Sequence, residues 1–285
     1  MDSRAEITER GDLADQLAHF RAAHRPKTLH AGGTAWEYFS VGEAGEIVLI
    51  LPGLLGLAEM AFPQILALQP DFRVIAVSYP FSAATVEAHL AGICAILEAE
   101  SAGQVNVLGA SYGGMLAQSL VRKIPERIRT LILAHTGPPV PERAEKNRKL
   151  LWMLRLLPLG LLRALLRAAT RKSLMDAPRQ RDFWQAYSNR VIANLGREDL
   201  LARYLAAIDF DAASHFTPHD LERWPGRVLI LEGDNDPIAE APARAALKGL
   251  YPQAQVHTFH GTGHVASIAR VEAYIGVVRE FIARG

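Results

Sequence analysis

The stretch NVLGASYGGMLAQ, Asn106 to Gln118, places a serine between two glycines where an apolar run becomes an amphipathic pattern. The pattern G-x-S-x-G, at Gly109, Ser111 and Gly113, is typical of a sharp turn from a strand into a helix. Glycines are needed there because the strained turn brings the strand and the helix close together. An ordinary turn with an N-cap serine is the alternative. The choice depends on whether the chain also supplies a base and an acid.

Short apolar runs recur along the chain and predict buried strands. They are Ile47–Leu51, Arg73–Val77, Val105–Gly109, Thr130–Ala134, Arg227–Leu231 and Gln255–Phe259. Near-continuous apolar character predicts a parallel sheet with helices on both faces, hence an α/β fold class. Helical patterns occupy residues 84–99, 112–123, 241–251 and 267–283. The stretches KTLHAG and AWEYFSVG predict an antiparallel lead-in, and DLADQLAHFRAAH predicts a helix outside the sheet.

The alternation of strands and helices stops between Pro139 and Arg227, where only helical patterns occur. Long structureless loops are rare inside compact domains, so this segment is predicted to fold as a helical subdomain. The predicted organisation is a core of residues 1–138 and 226–285, with a helical lid of residues 139–225 inserted after the sixth strand.

The first part of the predicted lid is basic and rich in leucine. Residues 146–172 contain eight basic side chains and no acidic one. Pro158 and Gly160 are predicted to break this stretch into two helices. Arg163, Arg167 and Arg171 step by four residues and are expected to share one helix face. The favoured interpretation is a lid with leucines over the site and arginines in solvent, and weak contact with a membrane surface is the alternative.

The bulk composition excludes several classes of protein. The chain has 285 residues, with 31 Lys and Arg against 30 Asp and Glu, so no overall charge favours nucleic acid. Its single cysteine, Cys94, excludes an internal disulfide framework and fits a reducing compartment. We expect a cytoplasmic protein, because the N-terminal residues lack an apolar signal region and no apolar run suits a membrane span.

Two polar clusters follow the last two predicted strands. EGDNDPI, residues 232–238, follows one strand, and HGTGHVASI, residues 260–268, follows the other. The carboxyl ends of parallel strands meet at one edge of a sheet, beside the Ser111 turn. A serine hydroxyl reacts only when a base takes its proton and a third group orients that base. The chain order Ser, Asp, His therefore predicts a nucleophilic serine.

These motifs resemble those of the α/β-hydrolase superfamily along nearly the whole chain. The matching stretches are LPGLLG (51–56), GASYGG (109–114), GDNDP (233–237) and GTGH (261–264). The resemblance implies a mostly parallel, doubly wound sheet with a helical lid. A nearer resemblance is to the maspardin-like branch, since VIAVSYPF (74–81) replaces the longer D-x-R-G-type loop. Some members of that branch are discussed as binding or regulatory proteins, so a non-catalytic role is the rival hypothesis.

The resemblance implies a role for each of three residues. Ser111 is the expected nucleophile, His264 the general base, and Asp236 the acid that ends a G-x-x-D turn. Asp234 is the alternative acid, and its other interpretation is a turn residue that binds local backbone amides. His257 and His260 are expected to be structural or surface residues.

The resemblance also implies an oxyanion hole made by the backbone N–H groups of Leu54 and Tyr112. This chain has Pro52 where many relatives have a histidine before the glycine. Four side chains are expected to contact the substrate: His135, Leu55, Leu157 and Leu162.

The expected activity is hydrolysis of an ester bond in a small to medium hydrophobic substrate, through an acyl-enzyme, as in a carboxylesterase. A lactonase, a thioesterase or a carbon–carbon bond hydrolase would use the same three residues. No motif for a metal, a P-loop or a dinucleotide occurs, so neither a cofactor nor a metal is expected. The expected partner is a small ester rather than nucleic acid, and the sequence does not indicate an oligomeric state.

Overall fold

Eight strands form one sheet in the computed structural model, which describes residues 12–43, 45–175, 177 and 180–284. They are β1 (Lys27–Ala31), β2 (Thr34–Val41), β3 (Ile47–Leu51), β4 (Arg73–Val77), β5 (Val105–Ala110), β6 (Ile128–Ala134), β7 (Arg227–Gly233) and β8 (Gln255–Phe259). Their order across the sheet is β1-β2-β4-β3-β5-β6-β7-β8. Strand β2 is antiparallel to β1 and β4, and the other pairings are parallel. The predicted α/β sheet with its antiparallel lead-in is confirmed.

Eleven α-helices lie in the described ranges. They are α1 (Leu13–Ala23), α2 (Phe62–Leu68), α3 (Val86–Ala99), α4 (Tyr112–Lys123), α5 (Pro141–Leu156), α6 (Leu159–Ser173), α7 (Arg181–Asn194), α8 (Arg197–Ala213), α9 (Ala241–Leu250), α10 (Ala266–Ala269) and α11 (Val271–Ala283). Short 3-10 turns occupy Ala58–Ala61, Pro125–Arg127 and Pro218–Leu221.

Alternate residues of each central strand enter two different cores. In β3, Val48 and Ile50 pack against helices α1, α2 and α11 on one face of the sheet. Leu49 and Leu51 pack against α3, α4 and α9 on the other face. Burial on both faces explains why the strands read as continuous apolar runs in the sequence.

Two helical features differ from the sequence prediction. Helix α2 was not predicted, and five of its seven residues are buried, which leaves no polar face to create a helical period. The helix predicted over 267–283 is broken at Arg270, where the backbone has φ of −141° and ψ of 52°. This break separates the short α10 from α11.

Helices α5 to α8 lie between β6 and β7, and residues 141–213 are called the insertion below. The insertion has a small apolar core of its own, built from Ala144, Leu151, Leu154, Leu162, Leu195, Leu200, Leu201 and Ile208. The predicted break between its first two helices falls at Leu157 and Pro158, whereas Gly160 lies inside α6. The insertion occupies part of the segment predicted as a lid, and its action as a lid stays a prediction.

The three arginines of α6 do not behave alike. Arg163 was expected in solvent, but its Nε and Nη2 atoms donate to the carbonyl oxygen of Leu195, at 3.0 and 2.8 Å. This oxygen lies just beyond the last residue of α7, where helix carbonyls have no partner within the helix. Arg163 therefore ties α6 to the end of α7. None of the helices in the described ranges is both long and apolar enough to span a bilayer.

Candidate active site

Ser111 lies on a strained turn between β5 and α4. Its φ of 52° and ψ of −114° are rare for a residue with a side chain. Gly113 makes the turn possible, because a Cβ there would lie 2.0 Å from the carbonyl oxygen of Leu51. A Cβ on Gly109 would lie 2.6 Å from the carbonyl oxygen of Gly113. Because neither glycine of the motif has a Cβ, α4 can pack closely against the strands at this turn.

Three side chains from three strand ends form a continuous hydrogen-bonded chain. The Ser111 hydroxyl donates to Nε2 of His264 at 2.9 Å. Nδ1 of His264 donates to Asp236, at 2.9 Å from Oδ2 and 3.0 Å from Oδ1. This arrangement can move a proton from the serine to the imidazole while the carboxylate stabilises the resulting positive charge.

The Asp236 carboxylate is buried and heavily hydrogen-bonded. Its Oδ1 also accepts the backbone N–H groups of Ile238 and Ala239, at 2.8 and 2.9 Å. Burial alone would raise the pKa of Asp236, but hydrogen bonds from His135 and His264 outweigh burial and hold that pKa well below its usual range. The carboxylate is therefore ionised at neutral pH.

Asp234, the alternative acid, faces a different way. It accepts hydrogen bonds from the exposed His260 ring at 3.0 Å and from the Gly261 backbone at 2.8 Å. These contacts hold the turn that precedes His264, as expected of a turn residue. Of the two aspartates, Asp236 is thus the one brought to His264 and Ser111.

His135 contacts the same carboxylate, a contact that the sequence does not indicate. It follows β6 with a φ of 49°, is buried, and donates from Nδ1 to Oδ2 of Asp236 at 3.2 Å. Burial lowers the pKa of His135, and the hydrogen bond to Asp236 only partly opposes this effect. His135 therefore stays neutral and acts as a second donor to Asp236.

His135, Asp236 and His264 also hold ligand-type atoms within 4.8 Å of one another. Both oxygens of Asp236 already accept imidazole N–H groups, and Nε2 of His264 already accepts the Ser111 hydroxyl. A cation bound there would have to displace these hydrogen bonds. Hydrogen bonding alone accounts for the cluster.

Two backbone N–H groups beside Ser111 have no protein acceptor in the described chain, those of Leu54 and Tyr112. Tyr112 is the first residue of α4, where helix N–H groups lack partners within the helix. Leu54 lies in the turn after β3 and lines the same cavity as Ser111. Both N–H groups are thus available to a negatively charged oxygen on a substrate.

A buried cluster that sequence reasoning missed supports these two turns. Arg203 of α8 is buried, and its Nη2 donates to the carbonyl oxygen of Tyr79 at 2.6 Å. The Tyr79 hydroxyl donates to the carbonyl oxygen of Pro52 at 3.0 Å. Both the Tyr112 hydroxyl and Nη1 of Arg203 lie 3.3 Å from Nε2 of His89. The sequence signal for this cluster is an arginine within the apolar run LLARYLAAI.

The surroundings fix the charge state of this cluster. Burial lowers the pKa of His89 to about 4, so its ring is neutral and its Nε2 is an acceptor. Nδ1 of His89 lies 2.8 Å from the carbonyl oxygen of Thr85, which accepts its hydrogen. Burial also lowers the pKa of Arg203 from its usual value. Three aromatic rings surround the guanidinium, those of Tyr79, Phe81 and Tyr112.

A mostly apolar cavity of about 440 Å³ opens beside Ser111 and His264. Helices α5 to α8 all contribute to its wall, through Asn147, Leu166, Trp184 and Asp211 among others. The Arg143 guanidinium forms two hydrogen bonds with Asp211, at 2.5 and 2.6 Å, and so joins α5 to α8 at this wall. The insertion therefore forms one side of the site.

Two of the four predicted substrate contacts, His135 and Leu55, line the cavity. Leu157 and Leu162 are not among the residues that line it, and their contact with a substrate stays a prediction. Leu162 is buried in the core of the insertion, and Leu157 packs against that core. The leucine pattern identified apolar residues but not the direction in which each one points.

Several known proteins are similar to this chain in sequence or in fold. A family model described as "alpha/beta hydrolase fold" matches residues 46–270. The chain is 29% identical to a poly(3-hydroxyalkanoate) depolymerase of Ectopseudomonas oleovorans over 257 residues, which cover 82% of this chain and 83% of the relative. It is 28% identical to a 2-hydroxymuconate semialdehyde hydrolase of Pseudomonas putida over 197 residues, 66% of each chain.

A solved structure of a hydrolase from Pseudomonas aeruginosa superposes with a TM-score of 0.77 at 19% identity, covering 90% of this chain and 98% of that one. The nearer resemblance to the maspardin-like branch stays a prediction. The family model spans most of the sequence and every strand from β3 to β8. The chain therefore belongs to the α/β-hydrolase fold family.

Proposed function

We propose that this protein is a serine hydrolase that cleaves an ester bond through an acyl-enzyme. The observation that carries the proposal is the chain of hydrogen bonds from Ser111 through His264 to Asp236, at the wall of an apolar cavity. A serine, a base and an orienting acid within hydrogen-bond reach are the recognised arrangement for nucleophilic catalysis.

In the proposed first step, Oγ of Ser111 attacks the ester carbonyl carbon while its proton passes to Nε2 of His264. The imidazolium then gives this proton to the leaving alkoxide, which departs as an alcohol and leaves an acyl-enzyme. Water attacks the acyl-enzyme with His264 as base again, and the acid and free serine are released. Asp236 holds the imidazole in the right tautomer and stabilises the imidazolium.

The negative oxygen of each tetrahedral intermediate is proposed to bind the N–H groups of Leu54 and Tyr112. Both groups lack a protein acceptor in the described structure, as an oxyanion hole requires. Pro52 does not disturb this arrangement, because its carbonyl is held by the Tyr79 hydroxyl and the donor at Leu54 remains. In this chain, the hydrogen bond from the Tyr79 hydroxyl to the Pro52 carbonyl is proposed to hold the loop in place. In many relatives a histidine occupies the position of Pro52.

The proposed substrate is an ester with a small to medium apolar acyl or alcohol part. The cavity is mostly apolar and holds about 440 Å³, which suits such a group. The relative named as a poly(3-hydroxyalkanoate) depolymerase is consistent with ester cleavage, because that polymer is a polyester of hydroxy acids. A hydroxyalkanoate ester is therefore a rational member of the test panel.

Other hydrolytic reactions would use the same proposed machinery. A lactone or a thioester presents the same type of carbonyl, and the relative from Pseudomonas putida is named for a semialdehyde substrate. The non-catalytic hypothesis requires no assembled triad, so the Ser111, His264 and Asp236 geometry argues against it.

The decisive experiment is labelling with a fluorophosphonate probe. We expect the probe to modify wild-type protein at Ser111, as located by peptide mass spectrometry, and not to modify Ser111→Ala. Ser173→Ala is the matched control, because Ser173 lines the same cavity but donates to the carbonyl of Thr170. Equal labelling of wild type and Ser111→Ala would reject the nucleophile.

A substrate panel then tests the reaction class. We expect Ser111→Ala to lower ester hydrolysis by about 10⁴-fold or more, because triad members act as a unit. The panel contains p-nitrophenyl esters from acetate to palmitate, a hydroxyalkanoate ester, a lactone and an acyl thioester. If the probe labels Ser111 but the unlabelled wild-type enzyme turns over a lactone or thioester far faster than any ester, the serine mechanism stands and the ester assignment is wrong.

A further inference from the structure

The insertion carries large apolar side chains on its solvent side. Trp152, Met153 and Leu156 of α5, with Leu161 and Leu165 of α6, have between 46% and 69% of their surfaces exposed. These five residues are called the outer face below. Soluble monomers rarely expose clustered large apolar groups without an interaction to cover them.

The outer face is distinct from the side of the insertion that lines the cavity. Along α6, Leu161, Ala164, Leu165 and Ala168 are exposed and recur at three- and four-residue intervals, so they form one stripe. Leu166, Ala169, Thr170 and Ser173 of the same helix line the cavity, and Leu162 enters the insertion core. Helix α6 thus has apolar residues on nearly every side, and the active site covers only one of them.

The segment that carries the outer face is strongly basic. No acidic residue occurs from Lys146 to Met175, although the whole chain has a net charge of only +1. Lys149 pairs with Glu145 on the exposed side of α5. Five other basic residues of this segment form no ion pair with a carboxylate in the described ranges. They are Arg148, Arg155, Arg167, Arg171 and Lys172. In the part of the chain that the structure describes, ion pairs therefore leave these five positive charges unneutralised.

We propose that the outer face docks on an anionic lipid surface. Exposed tryptophan and leucine flanked by Lys and Arg are the side chains that hold a helix in the plane of a membrane interface. Charge complementarity selects anionic rather than neutral lipid, because each basic residue near such a surface contributes about fivefold in affinity. The helices lie on the surface and do not span it, since they have 16 and 15 residues.

Docking is independent of the serine chemistry, because no outer-face residue lines the cavity. It would nevertheless bring the cavity wall near the lipid, since α6 contributes to both. An apolar substrate dissolved in the lipid would then reach Ser111 over a short path.

Tryptophan fluorescence reports docking directly. Trp152 is exposed, whereas Trp36, Trp184 and Trp224 are buried, so the environment of Trp152 should dominate any spectral change. The Ser111→Ala protein is titrated with vesicles of phosphatidylglycerol and phosphatidylcholine in equal parts, and with vesicles of phosphatidylcholine alone. We expect emission to shift to shorter wavelength and the protein to co-sediment with the anionic vesicles only, and to dissociate when salt is added.

Two pairs of substitutions separate the apolar and the charged contributions. We expect Leu156→Ser with Leu161→Ser, and Arg155→Glu with Arg171→Glu, each to lower the affinity for anionic vesicles at least tenfold. The matched controls are Val256→Ser for the exposed apolar group and Arg25→Glu with Arg223→Glu for the charge, all outside the insertion. Circular dichroism checks that every variant is folded.

Several results would overturn the proposal. They are equal binding to neutral vesicles, unchanged binding in both pairs of variants, and an equal loss in the charge control. Binding to suspended polyester particles but not to vesicles would assign the face to a solid polymer instead. Concentration-dependent dimerisation in sedimentation velocity, abolished by Leu156→Ser with Leu161→Ser, would assign it to a second copy of this chain.

Discussion

Asp236 and Asp234 are two residues apart, yet their carboxylates face different histidines. Asp236 receives the His264 and His135 rings, whereas Asp234 receives the exposed His260 ring and a backbone amide. We expect Asp236→Asn to lower kcat/KM by about 10⁴-fold, because an amide no longer holds the imidazole in the productive tautomer. Asp234→Asn should change kcat/KM less than tenfold. Ester hydrolysis by both variants is the measurement, and equal losses would contradict the assignment.

Arg203 provides a second test at the residue scale, because it joins the insertion to both proposed oxyanion donors. Its guanidinium holds the Tyr79 carbonyl, and a Cβ on Gly56 would lie 2.6 Å from its Nη2. Loss of one oxyanion donor costs about 10² to 10³ in kcat, and displacement of both donors should cost at least tenfold. We expect Arg203→Met to lower kcat at least tenfold with KM nearly unchanged.

Arg203→Lys is the matched variant, because it keeps the charge and one donor. It should recover part of the lost kcat, and thermal unfolding of both variants should stay near wild type. Raised KM with unchanged kcat would instead place Arg203 in substrate binding, and a large fall in stability would make it a structural residue.

The places of Ser111 and Asp236 beside one another in the fold were predictable, but the contacts that His135 and Arg203 make there were not. The serine motif and the G-x-x-D turn identify Ser111 and Asp236 because each needs a local backbone shape. His135 and Arg203 reach the site across 101 and 124 residues of sequence, to Asp236 and Tyr79. No local pattern encodes such contacts, so they appear only when the strands and the insertion are assembled.

At the scale of elements, the junction of β5 and α4 depends on the absence of a side chain at Gly113. We expect Gly113→Ala to destabilise the protein by about 4 kcal/mol or more, because the new Cβ would overlap the backbone of Leu51. Gly160→Ala is the control, since nothing lies within 4 Å of a Cβ at that position of α6. It should raise stability by at most about 1 kcal/mol. Urea unfolding measures both, and similar effects would contradict the steric argument.

The predictability of each element depended on how it is buried. Five of the six predicted strands, β3 to β7, appear as apolar runs because both faces of each strand are covered, whereas β8 lies at the edge of the sheet and is only partly buried. Helix α2 is also buried around most of its surface, so it has no amphipathic period and was missed. In the insertion the failure was opposite: leucines occur on every side of α6, and the sequence cannot tell the core, the cavity and the solvent apart.

The whole molecule places its proposed active site where independent parts of the chain meet. The ends of β3, β5, β6, β7 and β8 contribute Leu54, Ser111, His135, Asp236 and His264, and the insertion contributes the opposite wall. The predicted cytoplasmic location stays a prediction.

The contact between the insertion and the core contains a buried neutral histidine, His89, and this links global stability to pH.

The direction of this linkage follows from two pKa values. In the folded protein, burial lowers the pKa of His89 to about 4, whereas an exposed histidine has its usual value of 6.5. Between these values the unfolded chain binds a proton that the folded chain does not bind. Acidification from pH 6.5 to pH 4 therefore favours unfolding, and stability returns as the pH rises. The difference between the two pKa values corresponds to about 3 kcal/mol.

His89→Gln removes the titration but keeps a donor for the Thr85 carbonyl and an acceptor for Tyr112. We expect wild type to be the more stable protein at pH 7, and its advantage to shrink by up to about 3 kcal/mol at pH 4. Urea unfolding at several pH values between 7 and 4 gives both curves, and other titrating groups cancel in the difference. Two curves that stay parallel over this range would mean that the pKa of His89 is the same in the folded protein as in the unfolded chain. In that case the imidazole that Arg203 contacts would not be held neutral by burial.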